Sequence, residues 1–531
     1  ANAMTLTKFD SLHKAAALIT TYQEGVSQME VAAEAIFGGI GFQGKFPVTL
    51  NQQYKYGQGF LTPSLARLRY QHIPEEVGIS SQFLSKNIDS LANLALKEKA
   101  TPGMVVWIAK EGKVIFHKAY GKQTYEGKEA LEKSAIYDLA SITKISTSVP
   151  ALMKWQDEGK FHLEEGWSKL VPALEHSNKS DLKYLDILTH QARLKAWIPF
   201  WMDYIDSLDM IVHSKKFQLK YAGNSFGMNL WEKYINKTAG ENHIKQWIAK
   251  QPKIWEEVVD LKNEITRWKP QTLSYAKSDE YPVQVTENLW AHKSIKEKIF
   301  NAIKDSPLRD KKEYVYSDLS YYLLPGISKS VTGEEWPTYL AKTFYKPLGA
   351  STLTYQAEKF FPMSRIVPTE YDSLFRKTLI HGKVHDEGAA LLDGISGHAG
   401  LFGNANDLGK LMQLYLQKGY YGGQQFIDSK TVHYWTSYPF SIQENSRRGV
   451  GFDKVDRKKP GISAAVSASE ESFGHSGFTG TYTWIDPVHD LVYVFLSNRV
   501  YPTRNNSKIS DLNIRTGMNE VIYEAIKKGV K

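Results

Sequence analysis

The chain has 531 residues, 42% apolar and 23% charged. These are the proportions of a folded globular protein with room for roughly two to four domains, and they exclude a disordered chain. The formal charge of +9 is diluted over 66 basic and 57 acidic residues. Runs such as Lys454-Val455-Asp456-Arg457-Lys458-Lys459 are short and interrupted, so no nucleic-acid partner is expected. The absence of cysteine excludes disulfides, thiolate catalysis and cysteine metal sites. No apolar run reaches the ~20 residues of a membrane-spanning helix.

Ala1-Asn2-Ala3-Met4 reads as a cloning scar, so the natural start is expected elsewhere. In residues 1–50, Ala15–Thr20 reads as a buried strand and Met29–Phe37 as a helix, followed by a glycine-rich turn over Gly38–Pro47. One strand and one helix cannot close a core. Residues 51–79 have linker character, with Gly57, Gly59, Pro63 and Pro74. A helix is predicted over Ser80–Lys99, then a β-hairpin of Met104–Ala109 and Val114–Tyr120 across Glu111-Gly112. The apolar stretch Ile145–Trp155 reads as a helix, kinked at Pro150. Residues 145–440 are mainly helical pattern and loops. Gly480–Ile485 and Leu491–Ser497 form a second hairpin across Asp486-Pro487, and a helix over Asp511–Lys527 closes the chain. Strands near both ends with helices between predict one antiparallel sheet built from both ends of the catalytic unit, an α/β (α+β) fold.

Ser141-Ile142-Thr143-Lys144 opens the Ile145–Trp155 helix. Positions i and i+3 share a helix face, so the Lys144 amine can reach the Ser141 hydroxyl. A buried lysine loses part of its preference for charge and can serve as a base, while first-turn amides can donate to an oxyanion. At least two other Ser-x-x-Lys strings exist, Ser11–Lys14 and Ser180–Lys183; what distinguishes Ser141 is its company. Tyr316-Ser317-Asp318 precedes an apolar helix (Leu319–Ser328) and offers a phenol that could shuttle a proton. Gly474-His475-Ser476-Gly477-Phe478-Thr479-Gly480 precedes a strand. Its glycines allow a substrate backbone to approach as an added strand, and the Phe478 amide is a candidate second oxyanion donor.

Together these three elements resemble the serine β-lactamase and penicillin-binding protein superfamily over residues 80–531. The nearest branch is the one containing class C β-lactamases, D-alanyl-D-alanine carboxypeptidases, D-aminopeptidases and related esterases. Supporting strings are Leu188-Thr189-His190-Gln191-Ala192-Arg193-Leu194 and Gly397-His398-Ala399-Gly400-Leu401-Phe402. The resemblance implies Ser141 as nucleophile, Lys144 as its base, Tyr316 as proton shuttle, and Gly477, Phe478 and His398 on the oxyanion and substrate side. It implies no cofactor and no metal. The chain departs from the pattern twice. Asp318 stands where most relatives have asparagine, and an ionised carboxylate only accepts hydrogen bonds, so it should orient Lys144 or bind a substrate ammonium. His475 stands where many have lysine and would hold a terminal carboxylate while protonated. A helical lobe with an insertion over about 176–310, its extra length near Lys195–Arg309, carries Trp197, Phe200, Trp201 and Tyr204, which either roof the cleft or pack in the core.

The implied activity is a D-amino-acid peptidase or carboxypeptidase on peptidoglycan-type peptides. A carboxylesterase and a class C-like β-lactamase are the alternatives. Ala32-Ala33 and Ile36 through Val48 resemble the end of the second domain of family-3 glycoside hydrolases. That implies an upstream glycosidase partner in a longer fusion and a place in the periplasm or cell envelope of a bacterium. Two rival readings remain. Gly223-Asn224-Ser225-Phe226-Gly227 matches an α/β-hydrolase nucleophile elbow, and His381, His385, Asp386 and His398 are close enough in sequence to suggest a metal site.

Overall fold

The computed structural model describes residues 16–23, 25–70, 72–204, 268–373 and 375–530. Ser225 and the Ser11–Lys14 string lie outside them. Helix α1 (Val26–Ile36) matches the expected helix but has no buried residue. The strand expected at Ala15–Thr20 does not form over residues 16–20, which are exposed or half-buried; no strand among the described residues offers them a ladder. Within the linker stretch, Leu65–Tyr70 docks on the body. Arg69 N donates to Gly112 O at 2.9 Å and Val114 N to Arg69 O at 2.7 Å, while the Tyr421 hydroxyl accepts from Leu68 N at 3.2 Å.

Helix α2 (Ser81–Lys97) is capped by Ser80, whose hydroxyl accepts from Phe83 N. It buries Leu84, Ile88, Ala92 and Ala95, one face of a helix. Strands β1 (Gly103–Lys110) and β2 (Lys113–Gly121) form the predicted hairpin, with positive φ at both turn residues, Glu111 (54°) and Gly112 (69°). A small sheet is made by β3 (Tyr137–Asp138), β4 (Thr354–Tyr355) and β5 (Leu401–Gly403), with β5 in the middle. The remaining large-sheet strands are β6 (Asp453–Lys454), β7 (Phe473–Ser476), β8 (Tyr482–Asp486) and β9 (Leu491–Ser497). The large sheet runs β6-β7-β8-β9-β1-β2, every neighbouring pair antiparallel. β9 therefore joins the C-terminal hairpin to the N-terminal one, as expected of a sheet built from both ends.

Side chains alternate across this sheet and feed two cores. Val105, Trp107 and Ala109 of β1 enter one with Val492, Val494 and Leu496 of β9. Met104, Val106 and Ile108 enter the other with Leu491, Tyr493 and Phe495. The second core is closed by α2 and by the C-terminal helix, which buries Ile514, Met518, Ile522 and Ala525. The first continues into the helical lobe. There Phe200, Trp201 and Tyr204 are core residues, with the Trp201 ring stacked on Phe375 at 5.1 Å, whereas Trp197 is exposed. Three of the four insertion aromatics thus pack rather than roof. No helix among the described residues is long and apolar enough to cross a membrane.

Candidate active site

Ser141 sits on a turn between β3 and the first long helix of the lobe. Ala140 before it has φ of 47°, an uncommon conformation for a residue with a Cβ. The turn is braced from several directions. Asp138 Oδ1 accepts from Ala140 N at 2.8 Å and Oδ2 from His385 N at 2.7 Å. The Thr479 and Thr481 hydroxyls donate to Asp138 O and Leu139 O at 2.9 and 3.0 Å. Those two threonines flank the glycine-rich loop, so the nucleophile turn and the Gly477-Phe478 segment are tied together. The helix starts as a π-helical turn over Lys144–Ser148 and becomes α-helical at α3 (Val149–Asp157).

Lys144 is fully buried and its Nζ meets three oxygens. It lies 2.9 Å from Ser141 Oγ, 3.4 Å from His398 O and 2.7 Å from Asp318 Oδ1. The Asp318 contact has the spacing of an ion pair. Lys144 Nζ also lies 5.0 Å from the Tyr316 ring centroid. Tyr316 is held from the lobe. Ser317 N donates to His190 Nδ1 at 3.1 Å and Ser317 Oγ to Lys195 O at 2.7 Å, and the His190 ring lies 4.5 Å from the Tyr316 ring. Burial pushes the Tyr316 phenol well above its ordinary pKa and the Asp318 carboxylate pushes it further, while the Ser141 hydroxyl and Arg448 pull it back. Tyr316 is therefore a neutral phenol at rest. The backbone amides of Ser141 and Phe478 donate to no protein acceptor among the described residues, which leaves both free for an oxyanion.

His475 lies on β7 rather than in a turn before a strand, and its ring is 6.0 Å from that of Tyr316. The expected carboxylate-binding cation is not met. Burial pulls His475 down to about 4, with Arg448 and Lys144 acting in the same direction against Asp453. Its Nδ1 sits 2.8 Å from Ser476 O. A carbonyl only accepts, so Nδ1 carries the proton and Nε2 is a buried acceptor without a partner. Strand β6 covers only Phe473 and Gly474 of β7, leaving the edge at His475 and Ser476 unpaired among the described strands.

His398 also departs from expectation. Its side chain is 2% exposed and bonds to Asp386 Oδ1 at 2.9 Å and Ser396 Oγ at 2.8 Å, with Tyr322 stacked on it at 4.0 Å. Only its backbone carbonyl faces the site. Of the residues of the metal reading, His398 and Asp386 pair with each other, while His381 turns to the Ile366 carbonyl and His385 to Glu370. Of the other Ser-x-x-Lys strings, Ser180 bonds to Ser168 and Lys183 pairs with Glu164 on the surface. Sequence reasoning missed the bracing roles of Asp138, Thr479 and Thr481, whose bonds run to distant chain, and the buried pair Arg448–Asp453. Nothing in the polar run Ser446-Arg447-Arg448 marks that arginine as interior.

A buried lysine on a serine hydroxyl, at the joint of an antiparallel sheet and a helical lobe, is the arrangement of a serine hydrolase. The beta-lactamase family model matches residues 88–211 and 270–515, and the chain belongs to that family. An Escherichia coli K12 protein named "Putative D-alanyl-D-alanine carboxypeptidase" is 28% identical over 420 residues, covering 75% of this chain and 78% of its own. Among solved structures, EstCE1, "a hydrolase with promiscuous acyltransferase activity", superposes with TM-score 0.53 at 15% identity, covering 83% of this chain and 99% of its own. A class C beta lactamase superposes with TM-score 0.51 at 13% identity, covering 84% and 98%. At these identities the two structures speak to the fold alone.

Proposed function

We propose that the protein hydrolyses D-amino-acid peptides of the peptidoglycan stem type through an acyl-enzyme on Ser141. The observation that carries the reading is the buried Lys144 amine 2.9 Å from the Ser141 hydroxyl. Ser141 Oγ attacks the scissile carbonyl while its proton passes to the Lys144–Tyr316 pair. The Ser141 and Phe478 amides hold the oxyanion. As the C–N bond breaks, the Tyr316 phenol gives its proton to the leaving amine, and the same pair then takes one from the water that attacks the ester. Asp318 orients Lys144. The name carried by the Escherichia coli relative supports the peptide substrate. A place in the bacterial cell envelope, and a glycosidase domain ahead of the 1–50 segment, belong to the same reading.

One observation favours a second reading, an esterase. His475 is neutral and presents an acceptor, so it offers nothing to the terminal carboxylate of a carboxypeptidase substrate. Mass spectrometry after exposure to a fluorophosphonate tests the nucleophile. An adduct on the Ser141 peptide, abolished in Ser141→Ala, is expected; an adduct on the Ser225 peptide instead would move the site. Release of D-alanine from a D-Ala-D-Ala peptide against hydrolysis of a chromogenic ester then separates the two substrates.

A further inference from the structure

The cleft wall holds a guanidinium that the steps above do not use. Arg448 is fully buried. Its hairpin lies against the lobe segment that carries His190, because Asn445 Nδ2 donates to Thr189 O and Gly451 N to Leu188 O, both at 3.1 Å. On its other side Arg448 forms a bridge pair with Asp453, which its Nη1 also contacts. Asp453 stands in register with Gly474, next to His475. Arg448 thus sits between the two elements that position Tyr316 and His475. Its Nε and Nη2 donate to no acceptor among the described residues. A buried charge with one carboxylate and idle donors is a poor structural bargain, since breaking even with burial needs good geometry and full hydrogen bonding.

The groups around Tyr316 give this cation a task. Lys144 and Ser141 face it from the nucleophile helix, Asp318 and Tyr321 from its own segment, His190 from the lobe, and His475, Arg448 and Asp453 from the sheet edge, while Arg447 lies over the ring of Tyr314. Lys144 already has the Asp318 carboxylate beside it, and His475 is uncharged. Among the described residues the phenol hydroxyl has only the Ser141 hydroxyl acting on it, and the Tyr321 hydroxyl and Nε2 of His190 and His475 have no hydrogen-bond partner.

We propose that Arg448, fixed by Asp453, is a positioning residue that brings a permanent positive charge to the Tyr316 side of the cleft and stabilises the phenolate formed there. That phenolate arises when the Tyr316 proton moves to the Lys144 amine, and it disappears when it takes the Ser141 proton. The charge is conserved throughout and no further reactant is needed. The inference rests on the acyl-enzyme reading, and it supplies the cation that His475 lacks.

The test is the rate of Ser141 modification by a fluorophosphonate, split into the maximal rate and the half-saturating concentration, with thermal melting of each variant. R448Q/D453N, a neutral pair of similar shape, is expected to slow the maximal rate at least tenfold with the half-saturating concentration within threefold. D453N and R448K, which keep the cation, are expected to stay within threefold of wild type. A more acidic trifluorotyrosine at position 316 is expected to recover most of the loss in R448Q/D453N. If D453N or R448K loses as much as R448Q/D453N, or if the fluorinated phenol recovers nothing, the pair is only a strut and the proposal falls. If R448Q/D453N does not melt cooperatively, D453N and R448K decide it by the same criteria. An adduct that persists at full rate in Ser141→Ala would overturn the acyl-enzyme reading itself, a separate result.

Discussion

At the scale of single residues, burial sets the chemistry more than residue type does. His475 was legible as a member of a glycine-rich motif, but its charge was not, because desolvation by the surrounding fold decides it. The consequence reaches stability. An exposed histidine in the unfolded chain titrates near 6.5, and the folded one near about 4. Between those values the unfolded chain binds the extra proton. The stabilisation is therefore complete above about 6.5 and is lost as pH falls through about 4, amounting to about 3 kcal/mol at most. Urea midpoints measured from pH 7 to pH 4 should fall less steeply for His475→Gln than for wild type. Equal slopes would mean that His475 is not held neutral. His190, also pushed well below its ordinary value by burial, accounts for part of the slope that remains.

At the scale of elements, the helix after Ser141 illustrates how a sequence signal was read correctly in kind and incompletely in form. Pro150 predicted a kink, and the structure has a π-helical turn ahead of it. Proline lacks the N–H that would bond the carbonyl of Ser146, and the Tyr345 hydroxyl donates there instead at 2.8 Å. The wider turn sends Val149 N to Lys144 O, and the Ile145 carbonyl is taken by the Tyr415 hydroxyl at 2.6 Å. Two tyrosines from distant helices thus replace bonds the local sequence could not make. Tyr415→Phe should leave a buried carbonyl unpaired and cost about 1–3 kcal/mol, read as a lower urea midpoint; an unchanged midpoint would show that another donor reaches Ile145. The glycine-rich strand end is similarly constrained. A Cβ at Gly477 would lie 2.0 Å from Thr481 Oγ1 and 2.7 Å from Leu139 O. Gly477→Ala should push the Phe478 amide away from the Ser141 turn and slow fluorophosphonate modification at least tenfold, while wild-type rates would show that the turn and loop move independently.

At the scale of the whole molecule, the site exists because a sheet built from both ends of the catalytic unit meets a helical lobe. The β1–β9 pairing joins residues far apart in the chain, and only that closure sets Thr479 and Thr481 on the carbonyls of Asp138 and Leu139. The N-terminal stretch contributes differently. Helix α1 buries nothing, while Leu65–Tyr70 is stitched to the β1–β2 turn and Tyr421. Deleting residues 1–64 should therefore leave a cooperative melt and a Ser141 modification rate within threefold of the full chain. A loss of either would show that the earlier segment supports the cleft.

The amino-acid sequence by itself determined the periodic elements, the two hairpins and the spacing that lets Lys144 reach Ser141, because these depend on neighbours three or four residues away or on turn chemistry. It also exposed the two departures, Asp318 and His475. Only the tertiary structure decided that Asp318 pairs with Lys144, that His398 turns its ring into the wall, that three of the insertion aromatics are core, and that Arg448 is buried between the elements that hold Tyr316 and His475. Charge state and side-chain direction follow from desolvation and from partners hundreds of residues away, and no local pattern carries that information.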